Sequence, residues 1–279
     1  MRTLTRTSRL LVGAVASVTF AVMAVAPASA APAPAPLGVG HSVSYVALGD
    51  SYAYGLGADI PATQSYPAIL ATRAHLTLTN AAVPGATTYD VTHSQVPSDH
   101  AALEKAGLVT LTVGGDDLNA IGVAGICATY PASCQDAIAG ALAKLPQLYT
   151  SLGVTLRTIR HAAPDARIVV TGYPKLLDPS LGLLYPSLGL VVPELNAAAL
   201  ALNTTIWAAV RESQVRGSSA RFVSVVEPFL GHGLGSTDSW INSSGDGAFH
   251  PTTTGYLDGY YASIARDLAC RPFLITKAA

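Results

Sequence analysis

Charged side chains are scarce in this chain of 279 residues: only 12% are Asp, Glu, Lys or Arg. No Lys/Arg run or basic patch stands out, so the electrostatic footprint of a nucleic-acid-binding protein is missing. Cysteine is also rare, with three in all. None stands at metal-ligand spacing from a histidine, which argues against a zinc site, and no cofactor is expected. The longest apolar run, Leu10 to Ala26, falls short of the about 20 residues that span a bilayer. Hydrophobic residues are plentiful at half the chain. That composition is globular, and the length suits one sizeable α/β domain better than two.

The apolar run is preceded by Arg2, Arg6 and Arg9 and followed by Ala28-Ser29-Ala30, a small-x-small cleavage pattern. Together they predict a secretory signal peptide over residues 1–30, removed rather than kept as an anchor. No stable membrane insertion is then expected after cleavage. Residues 31–40 read as an extended Pro/Ala linker, and a single domain is expected over 41–279. Without the three leader arginines, thirteen basic residues face seventeen acidic ones, a net charge near −4. Export would allow a disulfide between Cys127 and Cys134, close together in a loop-like stretch, with Cys270 left unpaired.

Strand-like and helix-like segments alternate along the rest. Strands are predicted at Val43–Leu48, Leu76–Ala82 (edge-like, from its Leu/Thr alternation), Leu108–Val113, Ala166–Thr171 and Arg221–Val226. Helices are predicted at Tyr66–His75, Gln135–His161, Pro193–Gln214 and Thr253–Leu268. Such alternation implies βαβ units and an α/β fold with a mostly parallel sheet, its right-handed crossovers placing helices on both faces. Sites in open sheets of this kind lie beyond the carboxyl ends of the strands. A near-repeat, Pro179-Ser-Leu-Gly-Leu and Pro186-Ser-Leu-Gly-Leu, reads equally as a loop packed on the core and as a wall receiving an acyl chain.

Four short blocks follow predicted strands or precede helices. Gly49-Asp50-Ser51 closes the first strand, where a small residue permits a tight turn that exposes the hydroxyl, although Asp-Ser is also an ordinary helix N-cap. Gly85 follows a proline, as in a turn, and would let a backbone N–H approach a substrate oxygen. Gly114-Gly115-Asp116-Asp117 follows Leu108–Val113. His250-Pro251 precedes the closing helix. In this order the blocks resemble the GDSL/SGNH hydrolase family, from Val43 to about Tyr260. Gly172-Tyr173-Pro174 and Gly231-His232-Gly233-Leu234 further resemble its secreted actinobacterial lipases.

The resemblance implies a flavodoxin-like three-layer α/β/α sandwich, the SGNH hydrolase fold, and acyl transfer from an ester to water. Ser51 would be the nucleophile and His250 the general base, with the backbone N–H groups of Ser51 and Gly85, and the residue at 116, forming the oxyanion hole. Two departures from the family pattern stand out. The family's Asp lies three residues before the His, where this chain has Gly247; Asp246, or the main-chain carbonyl of Ala248, is then the candidate orienter of His250. The family's oxyanion Asn is replaced by Asp116, which accepts hydrogen bonds when ionised instead of donating them; Asn119, one turn on, is a possible substitute. Of the disulfides usual in the family, only the pair Cys127–Cys134 has counterparts. The expected protein is a secreted, monomeric lipase or esterase acting on a small ester or lipid. Phospholipase, deacetylase and acyltransferase variants remain open, as does a weakened or non-catalytic binding protein on the same scaffold.

Overall fold

The computed structural model describes residues 43–270. The leader and linker expectations lie outside the described residues.

Five strands form one sheet, β1 Ser44–Gly49, β2 Thr77–Asn80, β3 Ala106–Thr112, β4 Arg167–Thr171 and β5 Arg221–Val223, all parallel, in the order β2-β1-β3-β4-β5. Parallel strands are covered on both faces, which is why β1, β3 and β4 are nearly continuous buried runs of Val, Leu and Ile. β2 is half exposed and sits at the edge, as its Leu/Thr alternation predicts.

The main helices are α1 Ser51–Tyr54, α2 Tyr66–Ala74, α3 Ala120–Thr129, α4 Cys134–Leu142, α5 Leu145–Ala162, α6 Pro179–Leu184, α7 Val191–Val215 and α8 Ala262–Cys270. α2 packs on the closing segment that leads into α8, while α5 packs on α7 and on the helical turns of residues 88–103. These two groups make the outer layers of an α/β/α sandwich. The strand order is that of flavodoxin-like folds, whose crevice opens where successive connections leave to opposite sides. Here that point lies between the carboxyl ends of β1 and β3.

Several boundaries differ from expectation. The predicted Gln135–His161 helix is two helices, α4 and α5, with a break at Ala143-Lys144. Pro146 has no N–H to donate and fits only the first turn of a new helix. The fifth strand stops at Val223, since the Val226 N–H turns to the Ser224 hydroxyl rather than to a neighbouring strand. The closing helix begins as wide π turns over Gly255–Tyr261. Phe229 packs there so closely that a Cβ on Gly259 would lie 2.1 Å from its ring. The proline repeat is helical rather than a loop, as α6 and a 3₁₀ turn at Pro186–Leu188. Likewise the cysteine stretch belongs mostly to helices: Cys127 lies in α3 and Cys134 opens α4, and the two are bonded. Cys270 is free and exposed.

The core beneath the crevice is rich in tyrosine. Tyr45, Tyr66, Tyr256 and Tyr260 are fully buried. Each hydroxyl has a partner: Thr110 at 2.7 Å, Thr112 at 2.9 Å, the Leu56 carbonyl at 2.8 Å and the Gly172 carbonyl at 3.0 Å, respectively. A buried phenol needs such a partner, so these rings fix where the strand-end loops sit as well as filling space.

Candidate active site

β1 ends at Gly49, whose φ of +127° brings the chain so close to β3 that a Cβ would stand 2.0 Å from the Thr112 carbonyl oxygen. Only glycine fits that approach. Gln95 holds the same residue from the other side, accepting from Gly49 N–H and donating to its carbonyl, both at 2.8 Å. The Asp50 N–H donates to the Thr112 carbonyl at 2.9 Å, and the Asp50 carboxyl caps α1 by accepting from Tyr52 N–H at 2.9 Å. Asp50 is thus an N-cap, and its capping presents Ser51 as the first helical residue, where backbone N–H groups have no intrahelical acceptor.

His250 arrives from the far end of the chain. Its Nε2 lies 2.7 Å from Ser51 Oγ, and its Nδ1 lies 2.9 Å from the Ala248 carbonyl oxygen. A carbonyl only accepts, so Nδ1 carries the proton and Nε2 is left to receive the one on Ser51. Both ring nitrogens are therefore engaged, and Asp246 is exposed on the outside of the loop. Of the two expected orienters, the structure brings only Ala248 to the ring. Burial holds the His250 pKa below the ordinary histidine value, while the Ala248 and Gly247 backbone groups oppose that shift. The imidazole is neutral at pH 7, as a base must be.

Beside Ser51 lies a narrow cavity of about 70 Å³. Its walls are apolar: Leu118, Ile121 and Val123 from the β3 loop and α3, Ile138 and Leu142 from α4, and Leu195, Ala198 and Leu202 from α7. The proline repeat takes no part in the lining, so the acyl-wall reading of that segment is not upheld. Leu183, Leu184 and Leu190 point outward instead.

Asp116 does line this cavity with Ser51. Its carboxyl is pushed up to about 6, first by burial and then by Asp117 and Asp90. Asn119 is exposed, outside the lining, with its side chain folded against Gly122, and so does not replace the missing amide. Gly85 sits in an exposed turn at φ +83°, with nothing within 4 Å of where a Cβ would be. Its loop is fastened to the nucleophile strand by Val83 N–H donating to the Gly49 carbonyl at 3.0 Å. A second fastening joins it to the β3 loop: Asp117 accepts from Thr88 N–H at 3.0 Å and from the Thr88 hydroxyl at 2.5 Å.

Sequence reasoning passed over one residue that ties the site together. Tyr173, just after β4, donates to Asp50 Oδ2 and accepts from Gly115 N–H at 2.9 Å. Its own backbone is gripped on both sides by the Asn203 amide of α7, at 2.8 Å each. The only signal was its place in Gly172-Tyr173-Pro174 at a strand end. Burial lifts the Asp50 carboxyl to about 8, against the lowering effect of the Tyr173 hydroxyl. Among the described residues, no group of His, Cys, Asp and Glu could hold a metal ion, and no helix is long and apolar enough to cross a membrane.

A serine joined to a neutral histidine beside an apolar cavity, at the carboxyl end of a parallel sheet, has the parts of an acyl-transfer hydrolase. Comparison with known proteins gives the family: a family model described as GDSL-like lipase/acylhydrolase matches residues 47–257, and the chain belongs to that family. It is a carboxylic ester hydrolase of the lipase and esterase kind. A lipase of Streptomyces rimosus is 31% identical over 234 residues, covering 78% of this chain and 84% of the relative. The solved structure of an extracellular lipase from the same organism superposes with a TM-score of 0.71 at 29% identity, over 81% of this chain and 99% of that one. A phospholipase A1 from Streptomyces albidoflavus NA297 gives the same TM-score of 0.71 and the same coverages at 28% identity.

Proposed function

We propose that Ser51 and His250 are the nucleophile and general base of this hydrolase, working as a dyad. Ser51 Oγ attacks the ester carbonyl carbon as its proton passes to His250 Nε2. Collapse of the tetrahedral intermediate expels the alcohol, which takes that proton. Water, deprotonated by the same nitrogen, then releases the acid and restores Ser51. The Ala248 carbonyl keeps the ring in the required tautomer without supplying a charge. The N–H groups of Ser51 and Gly85, with Asp116 when protonated, face the oxyanion. The acyl chain lies in the cavity walled by α3, α4 and α7. The chain is exported by residues 1–30, a reading supported by likeness to an extracellular lipase, and acts as a monomeric domain over 41–279.

The observation that carries this reading is the 2.7 Å contact between His250 Nε2 and Ser51 Oγ at the cavity. A fluorophosphonate probe tests it. Labelling should be stoichiometric and should vanish in Ser51→Ala; labelling that survives the substitution rejects Ser51. A panel of p-nitrophenyl esters of rising chain length, with phosphatidylcholine beside it, then separates esterase from phospholipase use.

A further inference from the structure

The residue between Ala248 and His250 has an unusual backbone. Phe249 sits at φ +64°, in the left-handed region that a bulky side chain seldom occupies. Such a conformation persists only where the surroundings over-determine it, and its usual place is a functional site. Here it turns the chain so that the Ala248 carbonyl comes back to face the ring of His250, two residues on.

Several hydrogen bonds hold that turn, beginning with His250 N–H, which donates to the Gly247 carbonyl at 3.0 Å. Asn242 accepts from Phe249 N–H at 2.8 Å and donates from its backbone to the His250 carbonyl at 2.9 Å. The remaining group, the Phe249 carbonyl, accepts from the hydroxyl of Tyr52 at 2.6 Å. Tyr52 is buried, and its ring lies 5.0 Å from the His250 ring and 5.1 Å from that of Tyr173. Its hydroxyl is held well above the ordinary phenol range by burial and by Asp50 and Asp116, so it remains a donor throughout the working pH range.

We infer that Tyr52 is a positioning residue for His250: its hydroxyl holds the Phe249 carbonyl, and so keeps the left-handed turn that aims the Ala248 carbonyl at His250 Nδ1. The inference rests on the Ser51–His250 dyad proposed above. In a triad, a carboxylate grips the histidine directly. Here the grip is a backbone carbonyl whose own orientation depends on a side chain adjacent in sequence to the nucleophile. One residue thereby sets the register of both partners, since Tyr52 N–H is fixed by the Asp50 cap while its hydroxyl fixes the histidine loop.

Tyr52→Phe keeps the ring and removes the hydroxyl. kcat on a short-chain p-nitrophenyl ester should fall about tenfold, the worth of one buried hydrogen bond, while KM stays within about twofold. Adding Phe249→Asn should restore part of the lost kcat, because asparagine tolerates the left-handed region. A Tyr52→Phe enzyme of undiminished kcat overturns the inference. So does a fall that Phe249→Asn leaves untouched, since the hydroxyl then acts other than through this turn. Should Tyr52→Phe fail to fold, Phe249→Val with Tyr52 intact gives the same answer: a β-branched residue resists the turn, so kcat should drop at constant KM, and full activity rejects the idea. Fluorophosphonate labelling of the unaltered protein checks the dyad separately.

Discussion

The hydroxyl of Tyr173 stands between Asp50 and the backbone of Gly115, donating to the one and accepting from the other. It joins the loops after β1, β3 and β4 at the point where the cavity meets the nucleophile. Tyr173→Phe leaves a buried carboxyl and a buried N–H without their partner. Each such loss costs about 1–3 kcal/mol, so chemical denaturation should show destabilisation of at least that size. A variant as stable as the parent would mean that water takes over both bonds.

Asp50 also makes stability depend on pH. Its folded-state pKa of about 8 lies above the ordinary carboxyl value, so the folded protein holds a proton that the unfolded chain has lost. Its contribution is full below about pH 4 and is lost as pH rises through about 8. Asp116, raised to about 6, acts in the same direction over a lower window. Thermal midpoints of Asp50→Asn should therefore fall less between pH 5 and 8 than those of the parent. Parallel curves would remove Asp50 as the source.

At residue 116 the prediction concerns rate. In the oxyanion role proposed for Asp116, an ionised carboxylate withholds a donor, a loss worth about 10²–10³ in kcat where one donor is removed. With its pKa near 6, Asp116 is mostly ionised at pH 8 and mostly protonated at pH 5. Asp116→Asn should thus raise kcat at least about tenfold at pH 8, with the advantage shrinking towards pH 5. A lower kcat for the variant at every pH would show that the carboxylate has a positive role.

Asp246 lies outside the histidine contact, so Asp246→Ala should leave kcat nearly unchanged. Loss of a triad acid costs a factor of order 10⁴. A pre-steady-state burst assay on both proteins distinguishes the two outcomes directly.

The disulfide braces two walls of the cavity. Cys127 and Cys134 staple α3 to α4, and both helices wall the cavity. Replacing both cysteines by alanine should cost about 2–3 kcal/mol, as expected for so short a loop, and should raise KM for long acyl chains more than for acetate. Equal changes for all chain lengths would separate the staple from the cavity.

Much of this is legible in the sequence. Gly49-Asp50-Ser51 lies at a strand end as expected and meets His250-Pro251, which comes instead from the loop between β5 and the closing helix. What stayed hidden had no local signature. Tyr173 and Tyr52 look like ordinary core aromatics until their hydroxyl partners are known, and those partners are 123 and 197 residues away. The proline repeat stayed undecided for a related reason: Leu181 and Leu188 pack on the core while Leu183, Leu184 and Leu190 stand exposed, and apolar sequence alone does not say which face a residue takes. Likewise Asp246 and Ala248 differ in chemistry, yet the choice between them depended on a backbone turn at Phe249 that a phenylalanine does not advertise.

Ser51 and His250 are 199 residues apart in the chain. Ser51 opens α1 just beyond β1, and His250 lies on the segment that leads into the closing helix. The reactive pair therefore exists only when both segments are in place: any species in which the closing segment has peeled away from α1 cannot transfer a proton from Ser51 to His250. Ester hydrolysis then serves as a clock for completion of the native state. During refolding it should lag behind recovery of the circular dichroism signal, and during gentle heating it should fade before that signal changes.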